Sequence, residues 1–154
     1  MDLPDDPEHF RRLEALYRSA PVNEVLPCQL SVGPGRAEVR LEVGPAFWHA
    51  AGSLHGALYF KGLDDAAFFA AQSVERHGFV LTARFELDLL ARVTARELRA
   101  EGAFESRSGR KIEASARLFA GEEIVARGRG LFLASEEPLS SLPAYRNPGD
   151  APPP

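Results

Sequence analysis

The chain has 154 residues, a formal net charge of −4, 45% hydrophobic and 26% charged residues, a size and balance suited to one domain with its own core. That charge gives no basis for nucleic acid or an anionic membrane as the main partner. The lone cysteine, Cys28, rules out an intrachain disulfide, and four histidines without HxH or HxxE spacing offer no metal motif.

The acidic stretch from Met1 to Glu8 has no apolar run of the secretory kind, so a cytoplasmic location is expected. Asp6-Pro7-Glu8 has the form of a helix start: a cap, a proline at the first helical position and an acid in the first turn. Phe10, Leu13, Leu16 and Tyr17 then recur at helical spacing, which predicts a helix over 7–20. From Arg36 to Val43 the pattern has period two: Ala37, Val39, Leu41 and Val43 alternate with Arg36, Glu38, Arg40 and Glu42. This predicts a half-exposed antiparallel strand, entered from a Gly33-Pro34-Gly35 turn and paired with residues 26–32.

Residues 57–76 contain no proline and are rich in Ala, Leu and Phe, which predicts one long central helix stopped by Gly78. Lys61, Asp64 and Asp65 break its apolar run, so no membrane-length segment exists. Four strand-like stretches follow, 79–93, 97–106, 111–120 and 123–134, with tight turns expected at Ser108-Gly109 and Gly121-Glu122. Short links between consecutive strands predict a four-strand meander. Six of the twelve prolines fall in the last seventeen residues, so 137–154 is expected to be a Pro-rich extended tail beyond a single domain at 1–136. The fold class is α+β: an antiparallel sheet of about five to six strands wrapped around one helix.

Residues 49–67, HAAGSLHGALYFKGLDDAA, place carboxylates inside an apolar helix, where an unpaired charge is costly. His49, Gly52, His55, Gly56 and Ala57, followed by Asp64 nine residues after His55, resemble the signature Asn-x-x-Gly-x-x-His-Gly-Gly with its later acid. That signature belongs to the hotdog-fold acyl-CoA thioesterases, in the branch of the phenylacetate-pathway and 4-hydroxybenzoyl-CoA enzymes. The entry segment 20–26 is also similar to that family's, and the likeness spans about residues 10–134. The chain departs from the pattern at His49, where Asn or Gln is usual, at Ala57 in place of a second glycine, and at Arg92, where proline is frequent.

The resemblance implies hydrolysis of an acyl-CoA thioester without a cofactor, in a homodimer or dimer of dimers. The first amides of a helix lack intrahelical partners and carry partial positive charge, so Gly56 and Ala57 would face the thioester's developing oxyanion. Asp64 would act as general base or as nucleophile. Lys61 offers either acid an ion pair, so Asp65 or a purely structural pair remains open beside Asp64. His55 either contacts substrate or caps the helix. His49 either donates one hydrogen bond, as the usual Asn would, or is a plain loop residue. Arg107, Arg110 and Lys111 at a hairpin turn are candidates for the coenzyme's phosphates, with Arg92, Arg127 and Arg129 behind them. Trp48, Tyr59, Phe60 and Phe68, with Phe47 and Phe69, would line an acyl pocket or else serve as core. The alternative function is a hotdog protein that binds acyl-CoA or a related ligand without cleaving it.

Overall fold

A computed structural model describes residues 2–154. Helix α1 spans Pro7–Ser19, and the Asp6 carboxylate accepts the His9 N–H at its start. The sequence places that start correctly because cap and proline are local signals. A single turn, α2 (Val22–Val25), leads into the hairpin of β1 (Cys28–Gly33) and β2 (Arg36–Glu42). The central helix α3 runs Gly56–Gln72, four residues shorter at its end than the apolar pattern suggests. Ser73 closes it by returning its hydroxyl to the Ala70 carbonyl. The buried Glu75 carboxylate then accepts the N–H groups of His77 and Gly78 and turns the chain.

Strands β3 (Gly78–Leu89), β4 (Glu97–Ser108), β5 (Lys111–Ala120) and β6 (Glu123–Pro138) complete one six-stranded sheet. Its order is β1-β2-β4-β5-β6-β3, with every pairing antiparallel. The expected four-strand meander is therefore only β4-β5-β6. β3 crosses to the far edge and pairs with β6 instead of its neighbour in sequence. The turn between β4 and β5 lies at Gly109-Arg110, one residue later than expected, because Gly109 takes φ 59° and Ser108 stays in the ladder.

The sheet curls around α3 in the arrangement expected of a hotdog fold. Leu63, Ala66, Ala67, Ala70 and Ala71 of α3 are fully buried against Val39 and Leu41 of β2, Leu98 of β4 and Ile112 and Leu118 of β5. Small side chains on the helix let its backbone lie close to the strands. The tightest approach is at Gly102, where a Cβ would come 2.0 Å from the Ala66 carbonyl oxygen. Backbone cannot swing aside as a side-chain tip can. Gly102→Ala is therefore expected to cost at least the ~1–3 kcal/mol typical of overpacking, read from its urea midpoint. Gly33→Ala, with nothing within 4 Å of the new carbon, is the matched control and should shift stability by less than about 0.5 kcal/mol.

Residues 137–154 are not a detached tail. β6 continues to Pro138, Leu139 is buried, and α4 (Pro143–Arg146) packs on α1. His9 Nε2 donates to the Gln72 carbonyl at 3.0 Å, and the Tyr145 hydroxyl donates to His9 Nδ1 at 2.7 Å. Arg12 donates to the carbonyls of Tyr145 and Arg146, and Arg18 to that of Pro152. Two of the six prolines that suggested disorder, Pro143 and Pro148, act as helix starters, each opening a short turn. Among the described residues no helix is long and apolar enough to cross a membrane.

Candidate active site

The loop before α3 delivers His55 in an extended conformation (φ −66°, ψ 139°), and its Nδ1 accepts the Ala57 N–H at 3.0 Å. His55 is thus the helix cap. Both Gly56 and Ala57 were expected to offer amides to a substrate; the histidine takes the second. Gly56 N–H, at the first helical position, has no intrahelical partner and no other acceptor among the described residues. It alone remains available at the positive end of the helix dipole.

The adjacent acids point to different flanks of α3, about 100° apart on the helix. Asp65 faces α1: its Oδ2 accepts the Lys61 ammonium at 2.5 Å and the Tyr17 hydroxyl at 2.8 Å. Both members of that pair are mostly buried, and Lys61 also lies over the Tyr17 ring. With a cation and a phenol on one oxygen, Asp65 is the structural member of the two.

Asp64 faces the β3 flank, and its single recorded partner is the Thr82 hydroxyl, which donates to Oδ1 at 2.9 Å. Burial pushes its pKa from 3.8 up to about 6; the Thr82 bond and the Lys61 charge pull it down, and the Asp65 charge pushes it further up. A carboxylate poised near neutrality with one oxygen open is suited to accept a proton. Thr82 was not singled out from the sequence. It lies 18 residues from Asp64 and nothing in the local pattern of β3 marks it.

His49 is held within its own loop. Its Nδ1 accepts the Ala51 N–H at 3.0 Å, so the neutral ring carries its proton on Nε2, which meets Ser53 Oγ at 2.9 Å. Of the aromatic residues, Tyr59 is core and donates its hydroxyl to the Ala91 carbonyl at 2.8 Å. Phe68 packs among Phe69, Phe79 and Phe132. Trp48 is half-buried, with its Nε1 unpaired. Phe60 remains exposed beside Asp64's flank, edge-on to Phe85. At the hairpin turn, Arg107 donates to Gly109, Val74 and Glu75, and Arg110 to the Ala134 carbonyl, so both guanidiniums tie the hairpin to its surroundings. Lys111 has no recorded partner among the described residues. That turn sits by the C-terminal end of α3, roughly 25 Å along a seventeen-residue helix from Gly56.

Residues 51–126 match the family model described as the thioesterase superfamily. No curated protein matches the sequence. Among solved structures, the PaaI protein from the phenylacetic acid degradation operon of E. coli is similar with a TM-score of 0.78 at 19% identity, over 85% of this chain and 96% of that one. A conserved protein from Pseudomonas aeruginosa gives 0.72 at 22% identity, over 77% and 98%. A thioesterase family protein from Silicibacter pomeroyi gives 0.70 at 22%, over 79% and 96%. At these identities the likeness is one of fold.

Proposed function

Because this chain belongs to the thioesterase superfamily, we propose that it hydrolyses an acyl-CoA thioester in the cytoplasm to a free carboxylic acid and CoA. The observation that carries the proposal is Asp64: a carboxylate raised to about 6, hydrogen-bonded on one oxygen only and set on a flank that remains open. Asp64 takes the proton of an attacking water, or attacks the thioester carbon itself. Gly56 N–H stabilises the oxyanion that forms.

Geometry adds a second requirement. Asp64 follows Gly56 by eight residues on one helix, about 12 Å at 1.5 Å per residue. No thioester carbonyl touches both groups of a single chain, since each must lie within about 3 Å of the reacting atoms. A second chain resolves this by supplying one of the two. β3 is the open sheet edge, twelve residues long, and Leu81, Leu89 and Leu90 around it are 53%, 53% and 49% exposed. Such an edge is a template for pairing with its own copy. The other edge is partly covered: α1 packs beside β1, and its Glu14 accepts the Val32 N–H. The working unit is a homodimer joined at β3, which a dimer of dimers can repeat.

Thiol release from aromatic, short-chain and long-chain acyl-CoAs tests the activity directly. Release from none of them, together with CoA binding, would instead identify a non-catalytic acyl-CoA-binding protein. The engagement of His49 within its loop favours that second reading. A finer test is Thr82→Val. Loss of the hydroxyl removes the bond that favours ionised Asp64, so the acidic limb of the kcat/KM profile should move to higher pH by about one unit. An unmoved limb would mean that Asp64 is not the titrating group.

A further inference from the structure

This inference rests on the thioester reading and concerns which part of the substrate the chain recognises. The segment Leu90–Val93 follows β3 and is pinned on both sides. The N–H groups of Leu90 and Ala91 donate to the Val125 carbonyl, the Tyr59 hydroxyl donates to the Ala91 carbonyl, and the Val93 carbonyl accepts the Leu54 N–H. Arg92 therefore projects from a fixed stem. Its one recorded bond runs from a terminal guanidinium nitrogen to the Ala51 carbonyl, which leaves most of a five-donor fork unspent.

Beside it lies a depression of about 390 Å³, lined in this chain by His49, Ala51, Ser53, Leu89, Leu90, Ala91 and Arg92; Leu89 and Leu90 also belong to the edge at which the proposed dimer joins, so the depression borders the second chain. No acidic side chain is among them. Ser53, almost wholly buried at the floor of the depression, accepts the His49 Nε2–H and so fixes that ring. Leu89 is shared with the proposed oxyanion site: its Cδ1 lies 3.6 Å from where a Cβ on Gly56 would sit. The depression thus adjoins the N-terminus of α3, whereas Arg107 and Arg110 lie at the other end with donors already engaged.

We propose that Arg92 forms a subsite for an anionic group of the thioester substrate, a phosphate or a carboxylate. Guanidinium binds both in a bidentate manner, and no acid of the same chain lines the depression to occupy it. The anion has two sources: the phosphates of the coenzyme carrier, or a carboxylate at the end of a dicarboxylic acyl group.

Three substrates separate the sources: butyryl-CoA, butyryl N-acetylcysteamine and succinyl N-acetylcysteamine. In Arg92→Ala, kcat/KM should fall through KM, and by at least about tenfold more for an anionic substrate than for neutral butyryl N-acetylcysteamine. A selective loss with butyryl-CoA assigns the subsite to the carrier phosphates, and one with the succinyl thioester assigns it to the acyl carboxylate. An equal change, or none, on all three overturns the proposal. Calorimetric titration with CoA and with succinate reads the subsite without turnover. If wild type cleaves no thioester yet binds one probe in an Arg92-dependent way, the subsite stands and the hydrolase reading falls. If wild type binds neither probe and cleaves neither anionic substrate better than the neutral one, the subsite falls.

Discussion

Replacing Asp64 with asparagine is expected to lower thioester hydrolysis by at least about a hundredfold at pH 7, the scale of losing a general base or nucleophile. Asparagine keeps the shape and still meets the Thr82 hydroxyl, so the loss reports the missing charge. Wild-type kcat/KM should rise with pH through an inflection near the Asp64 pKa of about 6 and level off above it. The same substitution should leave the fold intact or firmer. The folded-state pKa lies above the ordinary 3.8, so the folded chain favours the protonated form. That contribution to stability is fully present below pH 3.8, is lost as the pH rises through about 6, and is absent at pH 7. The neutral asparagine carries no such cost, so the variant's melting temperature should exceed that of wild type at pH 7, with the gap closing towards pH 4. An activity loss with a lower melting temperature would point to unfolding instead. Hydrolysis that survives the substitution would remove Asp64 from the chemistry.

Mixing two inactive variants should restore activity if each site draws on two chains. Gly56→Pro deletes the proposed oxyanion donor at a position where proline is tolerated, the first of the helix, and His55 already has the extended backbone that precedes a proline. In a heterodimer of Gly56→Pro with Asp64→Asn, one site keeps Gly56 from the second chain and Asp64 from the first. The other site has neither. Random reassembly makes half the dimers mixed, each with one intact site, so about a quarter of wild-type activity should return. Activity that stays at the level of the separate variants would show that Gly56 and Asp64 do not meet across an interface. Unfolding and refolding the chains together, against each chain alone, provides the control.

Much of the fold was legible because the signals are short-range. Asp6-Pro7-Glu8 marks the start of α1 within three residues, alternation from Arg36 to Glu42 marks β2, and the apolar run marks α3. The end of α3 was misplaced because its stop is a distributed one. Ser73, Glu75 and the Gly78 amide close it together, and Arg107 from a distant hairpin holds Glu75. The position of β3 could not be read from periodicity. A strand's alternation states which face is buried, not which neighbour takes its amides. Helix α3 intervenes between β2 and β3, and β3 reaches the far edge beside β6.

At the site the division is similar. The residue types and the spacing from His55 to Asp64 are properties of the chain, and it is their resemblance to a thioesterase signature that points to thioester chemistry. Tertiary structure decided which groups each residue meets. Tyr17, 48 residues from Asp65, secures that acid, and Thr82, 18 residues from Asp64, engages the other. His55 takes the Ala57 amide, and Arg107 is diverted to Glu75, because donors and acceptors pair with what the fold places beside them. Sequence by itself determined the helix, the alternating strands and the acid in the helix. Which acid stays open, which amide stays unspent and which sheet edge stays bare were settled only by packing, since each depends on contacts between residues far apart in the chain.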